Sequence, residues 1–198
     1  MKADPVHQSE DPIRMPKSQP AEPVEPAAQD DTALILAARR NPEAFAALYD
    51  RYVQSVYRYL YGRVGSAQEA EELTAQTFLA AIESLPRYDH RGYFSAWLFS
   101  IARRKAADFF RRREPLRLEE AGDFASEADL PGEVARGEQI RKLARLIRSL
   151  EDSERELIHL HFTAGLTFAE MASVLGKKED AVKKSMYRLL ERLHGRME

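Results

Sequence analysis

The feature that most constrains this chain is a long run of apolar side chains at helical spacing, with no matching run of β-type alternation. Between Phe45 and Leu60 the apolar residues recur three and four positions apart, which places them on one stripe of a helix. The same spacing returns at several later points, and no segment of useful length alternates apolar and polar residues. The sequence therefore predicts an all-α protein.

Short polar motifs predict where individual helices begin and end. Asn41-Pro42 joins a capping side chain to a proline suited to the first helical position. Gly176 is predicted to end a helix in a left-handed conformation. Three further pairs fit the capping box, in which a hydroxyl and a carboxylate each bind a backbone N–H of the other residue. These pairs are Ser66 with Glu69, Ser153 with Glu156, and Thr167 with Glu170.

Charge alternates in blocks along the chain, although the overall net charge is only −2. The net charge is −4 over residues 1–31, +5 over 32–113, −6 over 114–139 and +3 over 140–198. Two basic blocks separated by an acidic one indicate two modules that touch nucleic acid, joined by a segment that avoids it. Solvated helix faces would give the same charges, so that alternative stays open at this point.

Proline, glycine and acidic residues divide the chain into four segments. Residues 1–30 hold six of the ten prolines and are predicted to be a disordered acidic tail. Residues 114–134 contain two prolines and two glycines among acidic residues and are predicted to be a flexible linker. The remaining segments, 31–113 and 135–198, are predicted to form two small helical domains. Long helices are expected over about 93–113 and about 180–193.

Several classes of protein are excluded or disfavoured. The absence of cysteine excludes disulfides and thiolate zinc sites. The N-terminus has no apolar run of the kind found in a signal peptide, and no apolar run approaches the length of a membrane span. We therefore expect a cytoplasmic protein without membrane insertion. No glycine-rich phosphate loop or hydrolase motif occurs, and His159 and His161 are too close in sequence to share a helix face. We therefore expect no metal, no cofactor and no enzymatic activity.

The C-terminal segment fits a helix-turn-helix. A short apolar helix would end at Gly176 and be followed by a longer helix with a buried spine at Val182, Met186, Leu189 and Leu193. Its opposite side would carry Lys183, Lys184, Tyr187 and Arg188. A recognition helix needs both an apolar spine and donors facing the major groove. The alternative is an ordinary amphipathic helix with a solvated basic face.

The helix predicted over 93–113 begins with aromatic residues and ends with basic ones. Phe94 and Trp97 lie in its first half, and Arg103, Arg104 and Lys105 open its basic half. Aromatic rings next to cations can stack unpaired bases while the cations neutralise phosphates. The alternative, preferred for Trp97 on pattern alone, is that the aromatic residues are core and the cations are solvated.

Taken in order, these segments resemble the extracytoplasmic-function branch of the sigma-70 family. The matching region 2 strings are AFAALYDRY at 44–52, AEELT at 70–74, TFL at 77–79 and AWLFSIAR at 96–103. The matching region 4 strings are ERELI at 154–158, GLTFAEMA at 165–172 and Val182-Lys183. The resemblance covers about 31–113 as region 2 and 135–198 as region 4, with no region 3 between them.

The resemblance implies a function and a set of site residues. Such proteins bind core RNA polymerase through its β′ clamp and β flap, direct it to promoter DNA, and are held by anti-sigma factors. By resemblance, the −10 element would be bound by Tyr88, Arg91, Phe94, Trp97, Arg103, Arg104 and Lys105. The −35 element would be bound by Lys183, Lys184, Tyr187 and Arg188. The polymerase clamp would be bound by Glu72, Leu73, Gln76, Thr77 and Phe78.

Two other functions remain compatible with the sequence. A sigma-like decoy would bind an anti-sigma factor but not DNA, although such decoys usually carry a receiver domain for which residues 1–30 are too short. A stand-alone helix-turn-helix regulator would bind duplex DNA without polymerase and would need neither Trp97 nor the acidic linker.

Overall fold

The structure is a computed structural model that describes residues 31–89, 92–117 and 142–197, with side chains described through 113 in the second range. The described residues are helical and contain no strand, which confirms the predicted all-α class. The helices are α1 (Thr32–Arg40), α2 (Phe45–Val64), α3 (Ala67–Ser84), α4 (Phe94–Arg117), α5 (142–148), α6 (Asp152–Ile158), α7 (Phe168–Leu175) and α8 (Glu179–Met197). Short 3-10 turns at Pro42–Ala44 and Leu85–Arg87 precede α2 and follow α3, and a π turn at His159–Thr163 extends α6.

Helices α1 to α4 form the first half of the molecule around α2. The apolar stripe predicted on α2 is buried, with Leu48, Val56, Tyr59 and Leu60 fully inaccessible. Aromatic rings join α2 to its neighbours, and the ring of Tyr59 meets that of Phe99 in α4 edge to face at 5.5 Å. Burial of this stripe against α3 and α4 supplies the main driving force for the first half.

Asp31 ties the start of α1 to α2. Its side chain is buried and accepts hydrogen bonds from Arg51 at 2.6 Å and from the Tyr52 hydroxyl at 2.5 Å. Burial and the adjacent Asp31 carboxylate raise the pKa of Tyr52. Arg51 and Tyr52 therefore stabilise the buried charge of Asp31, which would be costly without hydrogen-bond partners.

The predicted helix starts are right in two places, right in part at a third and wrong at a fourth. Asn41 accepts a hydrogen bond from the Glu43 N–H, and Thr167 and Glu170 form the full reciprocal capping box. Ser66 does cap α3, but the Glu69 carboxylate binds Arg113 of α4 instead of returning to the Ser66 N–H. Glu69 thus joins two helices instead of closing one.

The capping box predicted at Ser153 and Glu156 is wrong. Helix α6 begins at Asp152, so its N-cap position is Glu151, two residues before Ser153, and no side chain caps it. Glu156 is 5 % exposed and accepts a hydrogen bond from the Tyr59 hydroxyl at 2.6 Å. Partners from the first half of the molecule therefore replace the local backbone partner.

Helices α5 to α8 form the second half. Helix α7 ends at Gly176, whose φ of 63° lies in the left-handed region, as predicted. Helix α8 then packs its predicted spine against α7, and that spine is buried throughout. Two predicted bounds are too short: α4 continues to Arg117, and α8 runs from Glu179 to Met197. The tail 1–30 and most of the linker 114–134 lie outside the described residues.

The two halves pack against each other. Helix α4 contacts α7, and α2 contacts the π turn that extends α6. Buried apolar side chains form one contiguous cluster that runs from Ile35 in α1 to Leu193 in α8. The structure therefore holds the two predicted domains together, an arrangement that sequence patterns did not predict. None of the described helices combines the length and the apolar character that a membrane crossing requires.

Candidate nucleic-acid interface

Helix α8 presents a cationic face to the solvent. Its spine residues Val182 and Met186 are fully inaccessible, which fixes the rotation of the helix about its own axis. Lys184 and Arg188 are exposed on the other side, Tyr187 is 41 % exposed, and Lys183 is half-buried. The described residues thus bring all four predicted −35 side chains to one accessible face of one helix.

Phe168 of α7 supports the start of this face. The Tyr187 ring lies 6.0 Å from that of Phe168, and the Lys183 ammonium lies 5.7 Å from the same ring. Lys183 also pairs with Glu179 at 2.7 Å, one turn earlier on α8. A ring below and a carboxylate beside it restrict Lys183 to one position, whereas Lys184 and Arg188 keep the reach of long solvated side chains.

A second candidate surface lies at the start of α4. Tyr88, Phe94 and Trp97 form an aromatic cluster with ring centroids 4.8 to 5.8 Å apart. A pocket of about 340 Å³ opens beside this cluster. Its lining residues are Arg87, Tyr88, Asp89, Gly92, Tyr93, Ala96, Trp97, Ser100 and Ser173. Aromatic walls with a few polar groups suit a flat ligand that stacks and hydrogen-bonds.

The predicted −10 aromatic residues differ in their exposure. Tyr88 and Phe94 are 6 % and 3 % exposed and pack within the core, with the Phe94 ring 5.6 Å from that of Tyr52. Trp97 is partly buried and lines the pocket, so packing and lining both describe it. The core alternative therefore holds for Phe94, while Trp97 is available to a ligand. Arg91 lies outside the described residues.

The loop that carries Tyr88 is held in place by a side chain from α1. Arg39 donates hydrogen bonds to the carbonyl oxygens of Leu85 and Tyr88. The Tyr88 hydroxyl donates to the carbonyl oxygen of Gly92 at 3.3 Å, across the mouth of the loop. These bonds position the aromatic wall before any ligand arrives, which reduces the entropy lost on binding.

The basic half of α4 continues from this pocket along the helix. Arg103 and Arg104 are exposed, and Lys105 is half-buried. The Arg103 guanidinium is not wholly available, since its Nε lies 3.6 Å from the Glu156 carboxylate. The three cations predicted to contact the DNA backbone therefore lie on one helix but differ in their exposure and in their neighbours.

The predicted clamp-binding set on α3 is only partly accessible. Leu73, Thr77 and Phe78 are 4 %, 0 % and 5 % exposed, and the Thr77 hydroxyl donates to the Leu73 carbonyl oxygen. Glu72 and Gln76 lie on the outer face, where the Gln76 amide donates to Glu72 at 2.9 Å. The inner three residues form core, and only the outer two present a surface in this conformation.

Three accessible residues near these sites were missing from the sequence-based set. Tyr93 is 39 % exposed at the pocket, and Leu79 is 59 % exposed beside the outer face of α3. Ser173 reaches the pocket from α7, in the other half of the molecule. The aromatic run at the start of α4 signals Tyr93, but nothing local to Ser173 indicates its position there.

Comparison with known proteins agrees with this architecture. Residues 48–115 match the family model described as sigma-70 region 2, and residues 140–193 match that described as sigma-70, region 4. The chain is 38 % identical over 179 residues to the ECF RNA polymerase sigma factor BldN of Streptomyces coelicolor, covering 85 % of this chain and 67 % of the relative. It is 30 % identical to the ECF RNA polymerase sigma factor SigX of Bacillus subtilis, covering 79 % of this chain and 84 % of the relative.

A solved structure shares the fold. The structure of CnrH in complex with the cytosolic domain of CnrY matches with a TM-score of 0.63 and 26 % identity, covering 83 % of this chain and 95 % of CnrH. The two family models match the first and the second half of this chain, in that order. The chain therefore belongs to the extracytoplasmic-function branch of the sigma-70 family and is a sigma factor, a transcription initiation factor that acts in promoter recognition.

Proposed function

We propose that the two cationic surfaces bind two different promoter elements, and that each is built for the state of the DNA it meets. The observation that carries this proposal is the pairing, in one chain, of an open cationic helix face on α8 with an aromatic pocket on α4. A helix face suits the major groove of duplex DNA. A pocket with aromatic walls suits an unpaired base.

Helix α8 would enter the major groove of the −35 element. Lys184 and Arg188 would reach base edges and phosphates, and Tyr187 would add an apolar contact with a hydroxyl at its tip. Lys183, supported by Phe168 and Glu179, would set the approach of the helix. The buried spine supports this role because it prevents the cationic face from rotating out of the groove.

Helix α4 and the loop before it would hold the melted −10 strand. Extracting a base from its stack costs a few kcal/mol, which stacking on the pocket wall and hydrogen bonds in the pocket would offset. Trp97 and Tyr93 would contact that base, with Tyr88 and Phe94 fixing the wall behind them. Arg103, Arg104 and Lys105, together with Arg91, would neutralise the phosphates.

The outer face of α3 would bind the polymerase clamp. Glu72 and Gln76 would make the contact, while Leu73, Thr77 and Phe78 would hold the helix that presents them. A second pocket of about 320 Å³ adjoins this face and supports the assignment. It is lined by Glu69, Glu72, Leu73, Gln76, Phe109, Arg112 and Arg113.

The functional units would be residues 31–113 and 135–198, connected by residues 114–134. The second unit would also bind the β flap of the polymerase.

An anti-sigma factor would be a further partner. The solved relative CnrH is bound to the cytosolic domain of CnrY, which supports such a partner here. The protein would act in the cytoplasm, where polymerase and promoter meet, and chemistry would remain with the polymerase because the chain itself would be no enzyme.

Transcription with purified components tests this function. The full chain is added to core polymerase on genomic templates, and the 5′ ends of the transcripts are mapped. Promoter-dependent initiation at shared −10 and −35 sequences is expected. Binding of an anti-sigma factor without core binding would indicate the decoy, and tight duplex binding without polymerase would indicate the stand-alone regulator. Either outcome would overturn the proposal.

A further inference from the structure

The pocket of about 320 Å³ between α3 and α4 has walls of opposite charge. Helix α3 contributes the carboxylates of Glu69 and Glu72 to one wall, and α4 contributes the guanidiniums of Arg112 and Arg113 to the other. Its volume lies at the lower end of the roughly 300–1,000 Å³ that small-molecule sites occupy. This α3–α4 pocket therefore has the size and the polar groups of a site for a small ligand.

Two of the four charged side chains bind each other across the pocket. The Arg113 guanidinium lies 2.5 Å from Oε1 of Glu69, and both side chains are partly buried. The same guanidinium lies over the Phe109 ring, 5.5 Å from its centroid. A carboxylate and a ring together hold Arg113 in one place, so this pair joins the two walls.

The remaining groups on the two walls have unused hydrogen-bonding capacity. Oε2 of Glu69 is buried and accepts no hydrogen bond from any residue that the structure describes. Native proteins retain few buried acceptors of this kind, because each costs about as much as a lost hydrogen bond. On the other wall, Arg112 is exposed, and no carboxylate within the described ranges pairs with it. The pocket thus has a carboxylate oxygen without a donor and a guanidinium without an anion.

Apolar side chains also line the pocket. Leu73 of α3 is 4 % exposed, and Phe109 of α4 is partly buried. Aliphatic or aromatic parts of a ligand gain by leaving water for such a surface. A ligand that fits this pocket therefore combines polar ends with an apolar portion.

The sum of the charges indicates the class of ligand. Two carboxylates and two guanidiniums cancel, so the walls together carry no net charge. A simple anion drawn to Arg112 would also meet the charges of Glu69 and Glu72, and a simple cation would meet those of both arginines. A molecule with one positive and one negative group is attracted by both walls and repelled by neither. The pocket therefore favours a zwitterion.

We propose that the α3–α4 pocket binds a free α-amino acid with an apolar side chain. Its ammonium group donates to Glu72 and to Glu69, whose terminal torsion is soft enough to turn Oε2 toward the ligand. Its carboxylate accepts from Arg112, and its side chain lies on Leu73 and Phe109. This ligand site is a property of the chain beyond its part in promoter recognition.

The bound amino acid competes with core polymerase, a consequence that rests on the proposed function of the outer face of α3. Glu72 and Gln76 line the pocket and are also the proposed clamp contacts. An ammonium group on Glu72 uses the carboxylate that the clamp would need. At a ligand concentration of ten times its Kd, the apparent Kd for core polymerase should rise about tenfold. The level of the amino acid would then adjust how much of the protein enters the holoenzyme.

Titration of the 15N-labelled full chain tests the site by nuclear magnetic resonance. L-Leucine, L-methionine and L-phenylalanine are added separately, and at least one should shift amide resonances of α3 and α4 with a Kd of about 1 mM or below. Capping its ammonium by acetylation, or its carboxylate by amidation, should weaken binding about tenfold or more. Absence of binding by all three, or equal binding of the free and capped forms, would overturn the proposal.

Arg112→Met tests the basic wall. It removes the guanidinium from an exposed position, keeps most of the stem, and should weaken the amino acid about tenfold. Arg111→Met is the matched control, since Arg111 is the neighbouring exposed cation, pairs with Asp108 and does not line the pocket. Its Kd for the amino acid should equal that of the unsubstituted chain. Equal losses in the two variants would mean that net charge alone is sensed, and the site would be refuted.

Glu69→Gln tests the acidic wall. It should also weaken the amino acid, whereas Glu71→Gln, at an exposed position of α3 outside the pocket, should not. Because Glu69 is also the partner of Arg113, the circular dichroism of this variant is compared first with that of the unsubstituted chain. The Arg112→Met result stands independently if Glu69→Gln does not fold.

Competition is measured by binding of the fluorescently labelled full chain to core polymerase with and without the amino acid. The ligand should lower the affinity, and Arg112→Met should make the affinity insensitive to it. An amino acid that binds but leaves the affinity unchanged would overturn the competition and keep the site. Loss of core binding in Arg112→Met and Glu69→Gln, with no amino acid bound by the unsubstituted chain, would overturn the site and assign the pocket to the clamp. Absence of promoter-dependent initiation would refute the proposed function and leave the titration unaffected.

Discussion

The two candidate DNA surfaces of this protein differ in accessibility. The α8 face is open, with Lys184 and Arg188 exposed. On the α4 surface, Arg103 lies next to Glu156 of the second half, and Ser173 of the second half lines the pocket. The difference follows from what each surface has to bind. A duplex reader needs only a rigid helix with cations on its outer side. A reader of unpaired bases needs a pocket with apolar walls, and such a pocket is also a place where another part of the protein can pack.

The largest expected effect is a loss of folding stability on removal of the Phe168 ring, which lies under the open α8 face. Phe168 is 1 % exposed, stacks on His161 at 4.9 Å and supports Tyr187 and Lys183. Phe168→Ala should lower the free energy of unfolding by roughly 3–5 kcal/mol, because it leaves a cavity under the α8 face. Urea denaturation measured by circular dichroism checks this value.

Phe162→Ala is the matched control for Phe168→Ala, since Phe162 lies in the same half but is 56 % exposed. Its effect on unfolding should stay within about 0.5 kcal/mol, as for most surface substitutions. A comparable loss in both variants would mean that α8 does not depend on the Phe168 ring.

Acid should weaken the contact between the halves. Burial lowers the pKa of His159 to about 4, assisted by Arg63 of α2 and Arg155 of α6 and opposed by Asp152. Because this pKa lies below the ordinary 6.5, the contribution of His159 to the packing of the two halves is complete above pH 6.5 and is lost as pH falls toward 4. The upper limit of this contribution is about 3 kcal/mol.

Fluorescent labels on Glu83→Cys in α3 and Glu191→Cys in α8, a unique pair in a chain without cysteine, measure the separation of the two halves between pH 7.5 and 5. The fraction of molecules with separated halves should rise as the pH falls, and His159→Gln should remove most of that rise because the amide does not titrate in this range. An unchanged pH dependence in His159→Gln would assign the effect to other groups at the interface.

A smaller effect is expected at the open surface. Arg188→Ala should weaken binding of holoenzyme to promoters with a −35 element by roughly 1–3 kcal/mol, the cost of losing a bidentate contact to a base. Arg196→Ala, which removes an exposed cation from the last turn of the same helix, should cost less. Filter binding at fixed salt compares the two, and equal losses would count against base contact by Arg188.

The smallest effect is expected at the covered surface. Lys105→Ala should lower affinity for all −10 sequences alike and reduce the salt dependence of single-strand binding by about 0.7 in slope, the contribution of one phosphate contact. Arg58→Ala, which removes an exposed cation from α2, should leave the slope unchanged. A slope unaffected by Lys105→Ala would remove Lys105 from the phosphate contacts.

Local patterns predicted most of the helices and the composition of the candidate sites. The spacing of Val182, Met186, Leu189 and Leu193 placed the cationic residues of α8 on the opposite side, and the structure has them there. On α3 the family strings marked Leu73, Thr77 and Phe78 as contacts, yet these side chains are core. A family motif therefore contains both residues that contact a partner and buried residues that support them, and the motif alone does not distinguish the two.

The sequence alone determined the all-α class, the cap at Thr167, the turn at Gly176 and the charge of each helix face, because these depend on residues three or four positions apart. Only the tertiary structure decided the long-range partners of the buried carboxylates. Glu156 fits a local capping rule, but it binds Tyr59, 97 positions away, and Glu170 binds Ser95, 75 positions away. A carboxylate enclosed between two helices is stabilised more by a hydroxyl and a guanidinium in the same low-dielectric space than by one solvated backbone N–H, and no spacing rule reaches that far.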